Sequence, residues 1–281
     1  MTSVHPALFG GATILAMLVV HRVLRPWVQK VRASELVGDN HAYACQEAGL
    51  IFSLFLVGHA VSTGAVEGES IAKDALFCGA FGLLGFVLLE ISSGIGKSLL
   101  LGGRLKKELA SGNVAAGVAA GAHHAAMGLL VSKAVSGSDW QSLGLSLTFF
   151  GLGLVAHQGL IGLFRWLTIY DDQEQIAGEN LAAALSYAGV SLAVAVVVRR
   201  GLEGDFEDWS SAIQGFLGVA ALTLLLYPIR QIIITGLLLG RRPTFRGGAL
   251  DDAISADRNA GVALLEGATY LAIALAITHL V

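Results

Sequence analysis

Apolar residues gather into eight runs, roughly 6–24, 42–64, 75–96, 114–135, 141–165, 181–199, 209–229 and 260–280. Each comes close to the ~20 residues a helix needs to cross a bilayer. No run alternates with the two-residue period of a half-buried strand. Backbone groups in lipid must bond within their own segment, which leaves helices or closed barrels. The pattern predicts an all-α, polytopic membrane helix bundle of eight transmembrane helices.

Polar residues fall between the runs in two kinds of connection. Four are long and charged, spanning 22–41, 97–113, 165–180 and 230–259, and they hold 14 of the 18 Lys and Arg. The short connections hold Lys73, Lys133, Arg199 and Arg200. Excess Lys and Arg marks the cytoplasmic side. The expected setting is therefore a bacterial inner (cytoplasmic) membrane, with the long linkers cytoplasmic and both termini periplasmic. Pro26, Trp27, Val28, Val31 and Leu36 predict a short interfacial helix in the first linker. The N-terminus lacks a basic n-region and its apolar segment runs on as a full span, so no cleavable signal is expected.

The long linkers also end alike. "GDNHAYA" (38–44), "SGNVAAG" (111–117), "GENLAAA" (178–184) and "DRNAGVA" (257–263) each place an Asn before an Ala-rich span. The unit is span, linker, Asn, span, four times over. Units one and three share a Gly nine residues past the Asn (Gly49, Gly189) and an Arg fifteen before it (Arg25, Arg165). Units two and four share a Leu-Leu-Leu-Gly run (99–102, 237–240) and a Gly eight past the Asn (Gly121, Gly267). The chain is thus expected to be a tandem duplication, residues 1–138 and 139–281. Each half has an even number of spans, so the halves insert the same way round, as two parallel four-helix repeats. A pseudo-two-fold axis along the membrane normal would relate them.

Composition agrees with the pattern: 54% of residues are apolar and 14% charged, against about 25% charged in soluble domains. Glycine is abundant, at 36 residues, which suits close helix approach in lipid. Cys45 and Cys78 lie in apolar runs without metal-like spacing and read as buried small residues.

The Gly-Asn device, followed by an Ala-rich span with a Gly eight or nine residues later, resembles the YjfL-like bacterial inner-membrane proteins. That family is catalogued as a domain of unknown function, and the resemblance covers both halves. It implies a polytopic inner-membrane protein with no established chemistry and transfers no catalytic residue. Genes of the family often lie near phage-shock-type membrane-remodelling proteins, ATP-grasp enzymes and polyamine synthase-like proteins, which implies a membrane-stress setting.

Candidate chemistry follows the helical period. Positions four, seven and eleven past each Asn share its face. They are Ala44, Gly117, Ala184 and Ala263; Glu47, Ala120, Tyr187 and Glu266; and Ile51, His124, Ser191 and Tyr270. A lipid-facing stripe would be Leu, Ile or Val, so this one is expected to face the bundle interior. Glu47 and Glu266 lie about 10 Å past the Asn and His124 about 16 Å, near the midplane. Ionisable groups at that depth cost several kcal/mol and mark function by default; the bland alternative is a hydrogen bond that stitches helices together. His123 points away from the stripe. The pair His157-Gln158, with Glu90, lies toward the cytoplasmic ends of its spans, and His59 near the outer interface. Asn40, Asn113, Asn180 and Asn259 are expected either to cap their helices or to ring a cytoplasmic mouth.

Other signals fall away. "SSGIGKS" (92–98) has Ile91 where a P-loop needs glycine, and it follows a helix rather than a strand. No HExxH is present, and the basic residues are spread through the linkers, facing anionic headgroups rather than nucleic acid. No catalytic residue, metal or cofactor is predicted. Three functions compete. The first is ion or proton translocation along the stripe at the repeat interface, by Glu47, Glu266, His124, Tyr187, Tyr270 and Ser191. The second is a non-catalytic scaffold that docks a cytoplasmic partner on linkers 97–113, 165–180 and 230–259. The third is a metal or haem redox protein using His59, His123, His124 and His157. The sequence leaves open whether the fused halves associate further into a homo-oligomer.

Overall fold

A computed structural model describes residues 4–28, 40–101, 103–135, 137–203 and 206–280, with no strand among them. The helices in chain order are α1 (Val4–Val28), α2 (His41–Ala65), α3 (Ile71–Leu101), α4 (Leu105–Ala110), α5 (Val114–Ala134), α6 (Trp140–Leu167), α7 (Asp172–Ala177) and α8 (Leu181–Arg200). They continue as α9 (Trp209–Leu222), α10 (Leu226–Arg230), α11 (Ala249–Ser255) and α12 (Ala260–Leu280). Among the described residues, eight stretches are long and apolar enough to span a membrane. The protein is a multi-pass integral membrane protein built as a duplicated helix bundle. The interfacial helix expected over 26–36 falls largely outside the described residues; α1 itself runs to Val28.

The seventh span is longer than its hydropathy predicts. It continues past α9 through a 3₁₀ turn (Thr223–Leu225), α10 and a π-helical stretch (Gln231–Leu238). Pro228 offers no N–H and its ring crowds the carbonyl four residues earlier, so the ladder changes pitch around it. One consequence corrects the sequence reading: Arg230, placed there with the linker cations, lies inside the bundle, 2% exposed.

Each Asn caps the span that follows. Asn40 accepts from the Tyr43 N–H, Asn113 from Ala116, Asn180 from Ala182 and Ala183, and Asn259 from Val262. The residue in front takes a left-handed conformation in all three described linkers: Gly112 (φ 84°), Glu179 (φ 61°) and Arg258 (φ 51°). Only one of the three is glycine. At Gly112 and Glu179 the short linker helix ends in a Schellman turn, the Asn113 N–H bonding Glu108 O and the Asn180 N–H bonding Gln175 O. The last residue of that turn is also the cap of the next span.

The four capped helices pack in the order α2, α5, α8, α12. Glycines set the closest approaches. A Cβ on Gly49 would collide with the Gly121 backbone, and one on Gly189 with the Gly267 backbone. These are the same two positions in each half, so α2·α5 and α8·α12 are equivalent pairs. The halves then meet through α5 and α8. A two-fold axis would demand a matching α12–α2 contact, and no packing of comparable extent exists there among the described residues. The expected pseudo-two-fold arrangement is corrected to an open row. The remaining spans flank it: α1 and α3 on the first half, α6 and the α9–α10 span on the second.

Candidate functional site

The Asn side chains join the units as well as capping them. Asn40 Nδ2 donates to Leu109 O, Asn113 Nδ2 to Ile176 O, and Asn180 Nδ2 to Ile254 O, each at 2.8 Å. Every acceptor lies on the short helix in front of the next Asn. The four Asn therefore form a ladder along the row rather than a ring around a mouth.

The expected polar stripe does not converge on one path. In α2, Ala44 is exposed and Ile51 is 44% exposed. The reason is position: α2 ends the row, so the face that is interior in α8 looks outward in α2. The ionisable groups instead form separate clusters in the linker-side half of the bundle.

The first cluster belongs to the first half. Glu47 turns toward α1 and α3, where His21 Nε2 lies 3.2 Å from its Oε2. The other nitrogen, His21 Nδ1, lies 3.6 Å from Glu90 Oε1. One imidazole thus stands between two carboxyl groups. Glu90 is the most open of the three, its side chain 25% exposed.

A second cluster lies where the halves meet. His123 and His124 are both fully buried. His123 Nδ1 lies 3.1 Å from Tyr187 Oη, and its ring centroid is 5.9 Å from that of His157. His157 Nε2 donates to Ser191 O at 3.0 Å. The His124 carbonyl accepts from Ser53 Oγ at 2.7 Å. His123, set aside by face counting, is thus the histidine that bridges the halves. His59 is exposed on α2, near the end away from the linkers.

In the third cluster Glu266 pairs with Arg230 at 2.5 Å, both essentially sealed from the surroundings. The guanidinium also lies over the rings of Tyr227 and Tyr270, at 4.8 and 5.2 Å. A cavity of about 20 Å³ runs beside it, lined in part by Arg165, Tyr170, Asp172 and Ser186. There Arg165 Nε donates to Asp172 Oδ2 at 2.9 Å. Burial pushes the Asp172 carboxyl up to about 6, and Arg165 opposes that rise. Burial likewise raises Asp251, against the pull of the Ile169 backbone N–H it accepts.

Beyond these clusters the row is mainly apolar: Leu54, Val57, Val61, Leu130, Val131, Val194, Val197 and Val198 are fully buried, and the buried Ser62 and Ser132 hydroxyls donate to carbonyls of their own helices. Among the described residues no group of three or more His, Cys, Asp or Glu is arranged to hold a metal ion. Sequence reasoning missed His21 and Arg230. Their signal was the need of Glu47 and Glu266 for partners at matching depth.

Comparison with known proteins fits the duplication. The family described as Domain of Unknown Function (DUF350) matches twice, over residues 2–135 and 138–281. A UPF0719 transmembrane protein of Aquifex aeolicus (strain VF5) is 26% identical over 179 residues, covering 60% of this chain and 61% of the relative. No solved structure matches. With one copy of the domain on each half, the chain belongs to the DUF350 family of membrane proteins.

Proposed function

We propose that the protein moves protons across the membrane, with His21, Glu47 and Glu90 as its loading site and the long linkers on the cytoplasmic side. One observation carries this reading: a single imidazole held between two carboxyl groups within the spans, at 3.2 and 3.6 Å. Fully ionised, the three groups would leave one net negative charge in a low-dielectric setting, which costs several kcal/mol. The cluster relieves that cost by holding one more proton, which either carboxyl group can take while the imidazole keeps its own. Glu90, the most open, is the entry; His21 relays through its two nitrogens; Glu47 is the inner acceptor. Glu266 has no such role, because Arg230 already balances it. The mainly apolar half beyond closes the path in this conformation, so release on the other side requires α1 to part from α2 where Ile14 and Met17 pack on Gly58.

Purified protein in liposomes carrying a lumenal pH dye tests this under an imposed pH gradient. The expected result is proton entry that falls at least tenfold in Glu47→Gln and in His21→Ala. Wild-type flux equal to that of empty liposomes, or unchanged in Glu47→Gln, sinks the proposal.

One observation favours a second reading, a scaffold for a peripheral protein. The Asn ladder holds α4, α7 and α11 firmly against the bundle. They present opposite charges outward, Lys106 and Lys107 on α4 and Asp171 and Glu174 at α7. A partner retained after all four are neutralised would count against it.

A further inference from the structure

We propose that the protein assembles head-to-tail with copies of itself, α12 of one molecule packing on α2 of the next as α5 packs on α8 within the chain. The contact between the halves is heterologous: it joins the second capped helix of one half to the first capped helix of the other. Such a contact uses two different faces, and each half carries both. One face is therefore left over at each end of the row.

Aligning the halves on their Asn residues identifies these faces. Ala119, Ala126 and Leu130 of α5 are fully buried. Their counterparts on α12 are Leu265 (54% exposed), Ala272 and Ala276, all of them exposed. On the other side Ala188, Ser191 and Ala195 of α8 are buried, while their counterparts Ala48, Ile51 and Phe55 (51% exposed) on α2 are open. Both sets recur at helical spacing, so whole faces differ rather than scattered positions.

Two observations indicate a second copy rather than lipid alone. First, three of the four Asn side chains send Nδ2 to the linker of the next unit. The fourth, Asn259 at the end of the row, is exposed, and its Nδ2 donates to no described residue. It is the one rung of the ladder without a following unit. Second, the open α12 face is mostly small, with Gly261, Ala268, Ala272 and Ala276 exposed, whereas the α2 face carries Ile51 and Phe55. Lipid is served equally well by leucine, but small residues let a neighbouring helix approach. The two faces are complementary in size.

In-membrane disulfide formation tests this in a Cys45→Ala, Cys78→Ala background. Chains carrying only Ala272→Cys are co-expressed with chains carrying only Ile51→Cys and then oxidised. The expected product is a dimer in the mixture, at least fivefold above either chain expressed alone. A single chain with Ala126→Cys and Ser191→Cys should close internally and serves as the reference. Dimers from Ala272→Cys alone would mean a two-fold contact and overturn the proposal. So would a yield no higher than with Val155→Cys, 74% exposed on α6, in place of Ala272→Cys. As a second measurement, labelled wild-type chains in dilute liposomes should bleach in several steps per spot and Ala272→Trp chains in one. A single step for the wild type also overturns the proposal.

Discussion

Glu47 and Glu266 stand at the same distance from their Asn residues, yet their surroundings make them different chemical objects. Glu266 meets a guanidinium at 2.5 Å that also lies over two tyrosine rings, while Glu47 shares an imidazole with a second carboxyl group. Removing one member of a buried pair leaves the other charge uncompensated, at about 3–5 kcal/mol. Glu266→Gln should therefore lower the thermal midpoint of the purified protein sharply, and Arg230→Met with Glu266→Leu should restore most of it. A midpoint unmoved by Glu266→Gln would mean that the pair is not sealed in the folded protein. Asp172 gives a pH dependence. Its carboxyl is held up to about 6, so the folded state binds this proton more tightly than the unfolded chain. Its contribution to stability is present below about pH 4 and lost as the pH rises through about 6. Asp172→Asn should flatten the midpoint–pH curve over that window. At this scale the sequence is half legible: repetition exposes the Asn caps and the two glutamates, because like positions can be compared. His21 and Arg230 stay hidden because pairing across helices leaves no trace in the period of either helix. Arg230 was doubly hidden, lying just where the hydropathy of its span fades into the linker.

At the scale of elements, the apolar runs were long enough to name all eight spans, and the Asn marked where four of them begin. The glycines eight and nine residues past the Asn proved to be where paired helices touch. That was legible as a repeat but not as a contact, since a sequence shows which residue is small and not what lies against it. Gly189→Leu should force α8 and α12 apart, because even a Cβ there meets Gly267. The expected outcome is loss of most folded protein from the membrane, while Gly159→Leu on α6, with open space around it, should express normally. Equal yields would show that the helix pair tolerates separation. The altered pitch around Pro228 was not foreseen, because hydropathy counts the proline without registering the hydrogen bond it removes.

At the scale of the whole molecule, an even number of spans per half implies that the halves run parallel, but duplication alone does not make them symmetric, and the row has no two-fold partner for the α5–α8 contact among the described residues. Duplication supplies two copies of every face and does not dictate which faces meet. In the row, α5 and α8 meet through buried alanines over much of their length, so the connection through residues 135–139 is not what holds the halves together. Residues 1–138 and 139–281 expressed as separate chains in one cell should therefore co-purify. Recovery of each fragment alone would mean that the covalent link, not the α5–α8 surface, keeps the halves in place.

The open row also has an evolutionary consequence. A closed ring fixes its number of members, since inserting one more breaks contacts that already exist. An open row whose junctions all use the same pair of faces imposes no such count. A gene encoding it can gain or lose a half in one recombination event, and every surviving junction stays intact. Length is then a quantity that selection can adjust separately from the fold, and each added half is free to change its interior chemistry. The two halves already differ in this way, with an imidazole between two carboxyl groups in one and an Arg–Glu pair in the other.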